Sequence, residues 1–171
     1  MDLEISRERF PLGTQAAEFD ELFERHGQEV RGKPLKVASY RYLTIEAEGR
    51  LVWIVARNDN QPIGYSAHYW YQDLNFADER VATDTLWFVL PEYRGMGIGR
   101  QMKEMGHATL KGMGALRTYD FIRGSYDHLN LMRDIGFKPW GTRWVKDLTD
   151  GNAKADRGGS ESYVGKNAAP S

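Results

Sequence analysis

Apolar and polar positions follow two different rhythms along this chain, and the switches between them mark out its elements. Ala16, Phe19, Leu22 and Phe23 recur at helical spacing, which predicts a first helix over residues 14–26 started by Gly13 and Thr14. Residues 35–48 carry both rhythms. Leu35, Ala38, Tyr42 and Ile45 suit a helix begun at Pro34, whereas Tyr40, Arg41, Tyr42 and Leu43 also suit a strand; the helix, ending at Gly49, is favoured. Residues 51–56 then read as a strand, 58–61 as a turn and 63–71 as a second strand, together a hairpin. Residues 72–80 are polar and predict a loop before a third strand over 82–89. Ile98, Met102, Met105, Thr109 and Met113 line one face of the next helix, which Gly112 and Gly114 end. A strand over 116–122, a short helix over 127–135 closed by Gly136, and a last strand over 140–148 complete the pattern. From Thr149 onward Gly, Ala, Ser, Asn and charged residues leave too little apolar surface to fold. The expected organisation is therefore a single folded domain over 1–148 and a flexible polar tail over 149–171. The order of elements is an α/β pattern with a mixed sheet.

One junction in this order is unusual. Between the third strand and the helix after it, Pro91-Glu92-Tyr93-Arg94-Gly95-Met96-Gly97-Ile98-Gly99-Arg100 places three glycines where the backbone turns into a helix. Glycine lets a backbone approach a ligand without Cβ clashes, and the first N–H groups of a helix have no intrahelical acceptor. Together with the helix dipole they favour an anion, and Arg94 and Arg100 flank the turn as further donors. The competing reading is a flexible glycine turn with no ligand. Spacing narrows the choice of phosphate ligand. The third glycine of a dinucleotide fingerprint counted from Gly95 falls on Arg100, and no Lys-Ser or Lys-Thr pair follows, as a nucleoside-triphosphate loop requires.

The pattern that does fit is R-x-x-G-x-G at Arg94, Gly97 and Gly99, after a V-x-P-x-x-R strand exit. Here the chain resembles the GNAT superfamily of acetyl-CoA-dependent N-acetyltransferases, including compact members of the kind found in phage genomes. The resemblance covers roughly residues 12–148 and includes the Ile135-Gly136-Phe137 exit from the last helix, although Gly after a helix is also an ordinary C-cap. It implies a GNAT-like, mostly antiparallel central sheet flanked by helices, and acetyl-CoA as co-substrate. Phe88, Val89, Leu90, Arg94, Gly95, Met96, Gly97, Ile98, Gly99 and Arg100 would then bind the coenzyme. One main-chain N–H among Phe88, Val89 and Leu90 would polarise the thioester.

Composition removes several other functions. Lys plus Arg number 23 against 24 for Asp plus Glu, so no basic field is present to hold nucleic acid or an anionic membrane. There is no cysteine, hence no disulfide, thiolate nucleophile or thiolate metal site. No cluster of His, Asp and Glu has metal-ligand spacing in the sequence, so no metal is expected. Met1-Asp2-Leu3-Glu4 opens no basic region followed by an apolar core, and no long apolar run occurs, so a cytoplasmic protein is expected. A homodimer is compatible with all of this.

The implied chemistry is acetyl transfer to an amine, which must first lose a proton. Asp84, the one carboxylate inside the third strand, is the candidate base. By strict alternation it shares a face with Leu86 and Phe88, and a structural ion pair is its competing role. His68 is a candidate relay, and Glu92 reads as a solvated loop residue. Many family members carry a tyrosine four residues before the Gly of the Gly-Phe pair to protonate the departing thiolate; here that position is Met132. Tyr126 and His128, at the start of the same helix, are the candidate substitutes. The acceptor is an amine on a small molecule, a protein lysine or a peptide N-terminus. Asp73, Asp78 and Glu79 beside Tyr69-Trp70-Tyr71 would attract it if that loop borders the groove. The alternative function is a non-catalytic acyl-CoA-binding or protein-interaction module on the same scaffold.

Overall fold

Five strands form one sheet in the order β1-β2-β3-β4-β5. They are β1 (Leu3–Glu8), β2 (Leu51–Asn58), β3 (Gln61–Gln72), β4 (Arg80–Val89) and β5 (Arg117–Tyr119). The first three pairings are antiparallel and the last, β4 with β5, is parallel. The helices are α1 (Thr14–Ala17), α2 (Asp20–Arg31), α3 (Ser39–Ala47), α4 (Ile98–Gly112) and α5 (Tyr126–Asp134). The computed structural model describes residues 2–120 and 126–139, with side chains left undescribed at 126–128. The expected last strand over 140–148 and the tail over 149–171 lie outside the described residues. No described helix is long and apolar enough to cross a membrane.

The sheet is mixed and mostly antiparallel, as expected, with α4 as the crossover that joins parallel neighbours. Three local expectations change. Residues 3–8 form an edge strand that the pattern reading missed: Leu3 and Ile5 alternate, but the run is short and charged, and pairing with β2 is what makes it a strand. The first helix is broken at Glu18 and Phe19, and α2 continues to Arg31, where Gly32 closes it. Turning the chain there drives Phe19 into the core, where it is 1% exposed. The second helix begins at Ser39 rather than near Pro34.

The largest change concerns which way β4 faces. Ala67 pairs with Leu86 but His68 pairs with Asp84, so Thr85 is an extra residue on β4, a β-bulge. Side chains alternate with period two, and one extra residue exchanges the faces. Asp84 therefore does not share a face with Phe88. Asp84 meets Lys103 and His107 of α4, whereas Phe88 packs on His26 of α2 and on Tyr65.

On the α2 face the core is aromatic. Trp53, Tyr65, Phe10, Phe19 and Phe23 contact one another with ring centroids 5.1–6.4 Å apart, an arrangement that adds about 0.5–1.5 kcal/mol per pair beyond area burial. On the other face α4 lies across β2, β3 and β4 and buries Ile98, Met102 and Leu110. At the end of α5 the Phe137 N–H bonds to the Met132 carbonyl and the Gly136 N–H to that of Arg133. With Gly136 at φ +91° this is a Schellman cap, so the Gly-Phe exit has a complete structural explanation.

Candidate functional site

Beyond Val89 the chain makes a single 3₁₀ turn over Pro91–Tyr93 and enters α4 through Arg94 to Gly97. Gly95 has φ +80° and Gly97 φ +76°, the left-handed region that residues with a Cβ avoid. Among the described residues no protein acceptor takes the N–H groups of residues 95–100. Those amides and the positive end of a 15-residue helix converge on one exposed turn, as the pattern predicted. Ile98, 1% exposed, fixes the first helical turn in the core. Gly99 does a different job: a Cβ there would lie 2.8 Å from the Trp87 ring, so glycine lets α4 close on β4.

The two arginines are already engaged. Arg94 donates through Nε to the Val89 carbonyl at 2.9 Å and through Nη2 to Glu29 at 2.6 Å, tying the turn to β4 and α2. Arg100 pairs with Glu104 one helical turn on, at 2.9 Å. Met96 is 52% exposed and contributes its main chain alone to the turn. Of the three candidate thioester donors, Leu90 is committed, since its N–H bonds to the Ile63 carbonyl at 2.9 Å. Alternation along an antiparallel ladder puts the Phe88 N–H on the same side, toward β3. The Val89 N–H points the other way, along the edge of β4 that leads away from β3.

Asp84 sits in a buried polar network. Its Oδ1 accepts from His68 Nδ1 at 2.6 Å and from the Thr118 hydroxyl at 3.2 Å. Its Oδ2 accepts from Lys103 Nζ at 2.6 Å and faces His107 Nε2 at 3.4 Å. His68 Nε2 bonds in turn to the Ser66 hydroxyl at 2.9 Å, and Lys103 reaches Asp120 at 2.6 Å. Burial pushes the Asp84 carboxyl up, but hydrogen bonds with His107 and His68 and the charge of Lys103 outweigh it and hold the group well below the usual carboxylate range. A carboxylate with both oxygens occupied and so little affinity for a proton is poorly suited to take one from an amine. The structural ion pair that was the competing role is present, because the bulge turns Asp84 toward α4. His68 belongs to the same network.

His68, Asp84 and His107 lie close enough to consider a metal ion. The Lys103 ammonium already stands 2.6 Å from the carboxylate that would be the anionic ligand, and it would repel a second cation. The donor set does not fit a metal.

Lys103, Asp120, Ser66, Thr118 and His107 were not singled out in the sequence. A signal existed for Lys103, which lies on the buried stripe of α4 with Ile98, Met102 and Gly106. None existed for Asp120, which acquires a role only by meeting Lys103 across the fold. On the other face of β4, His26 Nδ1 lies 2.6 Å from the Tyr65 hydroxyl and its ring stacks on Phe88 at 5.0 Å. Burial lowers the His26 pKa to about 4, so it is neutral at physiological pH. The expected acidic groove is partly used internally. Asp73 accepts from the N–H groups of Asn75 and Phe76, and Glu79 pairs with Arg117 at 3.0 Å. Glu92 is not merely solvated but bidentate to Arg25, at 2.9 and 2.8 Å. Tyr126 and His128 fall at the start of α5, where side chains lie outside the described residues. Met132 is 2% exposed, a core residue.

The model of the acetyltransferase (GNAT) family matches residues 15–149. No curated protein matches the chain by sequence. Solved structures do match by shape. A ribosomal-protein-alanine N-acetyltransferase from Brucella melitensis superposes with a TM-score of 0.67 at 15% identity, covering 86% of this chain and 100% of that one. A glucosamine-6-phosphate N-acetyltransferase from Arabidopsis thaliana gives 0.62 at 14% identity over 87% and 100%. A transcriptional regulator from Bacillus halodurans gives 0.68 at 18% identity over 86% and 100%. At these identities the structures establish the fold, and the family match establishes membership: the chain belongs to the acetyltransferase (GNAT) family.

Proposed function

We propose that this member of the family transfers an acetyl group from acetyl-CoA to a primary amine by direct attack in a ternary complex. The observation that carries the reading is the set of unclaimed N–H groups from Gly95 to Arg100 at the start of α4, which suits a pyrophosphate. The reactive arm of the coenzyme would then run back along the edge of β4. In the reaction the amine nitrogen attacks the thioester carbonyl carbon, the C–N bond forms, and the carbonyl oxygen becomes an oxyanion facing the Val89 N–H. One such donor typically contributes a factor of order 10² to 10³. The attacking nitrogen gives up its proton to solvent, the C–S bond breaks, and the thiolate takes a proton, a step assigned to Tyr126 or His128 in place of Met132.

No side chain among the described residues is assigned as the base. An amine with a pKa near ~10.4 is mostly protonated at neutral pH, and without an enzymic base its neutral fraction sets the rate. Turnover at subsaturating acceptor should therefore rise about tenfold per pH unit until the pH reaches the pKa of the acceptor. A plateau well below that pKa would reveal a base. Related structures act on unlike amines, a ribosomal-protein alanine in one case and glucosamine 6-phosphate in another, so the acceptor here is proposed only as an amine.

Titration calorimetry with acetyl-CoA, with Gly97→Glu as control, tests the coenzyme site, and release of free CoA thiol with a panel of amines tests the reaction. Micromolar binding lost in the variant is expected; no binding by the wild-type protein would remove the coenzyme assignment. A second reading, a non-catalytic acyl-CoA-binding module, is favoured by the buried Met132 at the position of the usual acid. Tight binding with no thiol release for any amine would select it.

A further inference from the structure

The last rung of the parallel β4–β5 ladder is Thr83 opposite Tyr119. Continuing the register by one residue sets Asp84 opposite Asp120, both of them described and neither paired in the ladder. Like charges directly across two strands are destabilising. Both carboxylates turn toward α4, where a single ammonium lies 2.6 Å from each. The side chains of Lys103 and Asp84 are 1% and 2% exposed and that of Asp120 is 14% exposed, so solvent contributes little to holding the charges apart.

We infer that Lys103 is a positioning residue for the coenzyme groove: held between Asp84 and Asp120 at the first unpaired register, its ammonium ends the β4–β5 ladder and sets the spacing at which the edge of β4 opens. This rests on the acyl-CoA reading above, since that edge is where the reactive arm would lie. The partners are unequal in a telling way. Asp84 is also held by His68, Thr118 and His107, so its carboxylate keeps partners when the ammonium is removed. Lys103 is the one side-chain partner of Asp120 among the described residues, so the carboxylate just after β5 is held by it alone. Lys103 also lies five residues into α4, about 7.5 Å along the axis from Ile98. The helix that presents its N-terminus to the pyrophosphate is thus pinned to Asp84 and Asp120 by its own side chain, and the pyrophosphate and the reactive arm of the coenzyme are placed by one rigid element.

The test compares wild-type protein with Lys103→Met and with the charge-free triple variant Lys103→Met, Asp84→Asn, Asp120→Asn, which keeps the shapes and removes the repulsion if Lys103→Met alone fails to fold. Two quantities are measured on folded protein: the Kd for acetyl-CoA, and amide hydrogen exchange over residues 84–89 against residues 51–58 as internal reference. The expected result is at least a tenfold rise in Kd with altered exchange confined to 84–89. Lower thermal stability with an unchanged Kd would show a merely structural ion pair and overturn the inference. A raised Kd with unchanged exchange at 84–89 would overturn it too, because the loss would then arise elsewhere. If the wild-type protein binds no acetyl-CoA, the coenzyme reading fails by itself, and exchange alone decides the role of Lys103: altered protection at 84–89 supports the spacing role, and unchanged protection removes it.

Discussion

The two faces of the same sheet are built from opposite materials. Toward α2, Trp53, Tyr65, Phe19, Phe23 and Phe88 pack ring against ring, with one polar pair, His26 and Tyr65, kept neutral by burial. Toward α4, beyond Ile98 and Met102, the contact turns ionic, with Lys103, Asp84 and Asp120 buried together and His68, His107, Ser66 and Thr118 around them. An aromatic face is stable almost regardless of small shifts, because burial is non-directional. An ionic one tolerates few arrangements, since every buried charge must keep its partner. The directional face lies at the last described pairing of β4 with β5, and the non-directional face lies where the sheet needs only to be covered.

The sharpest way to break the contrast is to remove the central cation. Lys103→Met should cost about 3–5 kcal/mol, because it takes the cation from the buried Asp84 and the one side-chain partner among the described residues from Asp120. Phe19→Ala on the aromatic face should cost a similar 3–5 kcal/mol through its cavity. Chemical denaturation checks both. The faces differ in rescue: neutralising Asp84 and Asp120 should recover much of the first loss, and no polar change should recover the second. Next comes Gly97→Glu. At φ +76° and among amides suited to phosphate, it should weaken acetyl-CoA by 100-fold or more while the network, several residues away, is undisturbed; calorimetry reads it.

The faces should also answer differently to acid. The His26 pKa of about 4 in the fold lies below the unfolded value near ~6.5, so the unfolded chain binds the extra proton. That contribution is complete above about pH 6.5 and is lost as pH falls toward about 4, on the order of 3 kcal/mol in all. His26→Phe should flatten the stability profile in this window. Asp84, held far below the usual range, should lose its contribution only at pH values below the ordinary carboxylate pKa. Gly106→Ala is a smaller probe. A Cβ there would lie 2.5 Å from His68 Nε2, and displacing that ring should cost about 1–3 kcal/mol and disturb Asp84 without touching the aromatic face. At the far end, Arg25→Ala should show no measurable loss of stability, because its pair with Glu92 is exposed.

The glycine turn was legible because its geometry is local. Three glycines and a strand-to-helix junction within twelve residues specify open amides whatever surrounds them, and Gly95 and Gly97 adopt the positive φ that this demands. The element order was legible for a similar reason, since periodicity reports each buried face. Residues 3–8 and the break at Phe19 were not, because pairing with β2 and burial of one ring decided them.

Asp84 marks the boundary between the two kinds of information. The sequence by itself determined that a carboxylate stands inside the third strand, that a lysine stands in the helix after it, and that an aspartate lies within the strand expected over 116–122. Which of them meet was decided in the folded sheet. The extra residue Thr85 exchanges the faces of β4, a one-residue event that alternation cannot foresee because a bulge is defined by the partner strand and not by the strand that carries it. Only tertiary structure could turn a candidate base into one arm of an ion triad, because a carboxylate's role depends on the charges that share its burial.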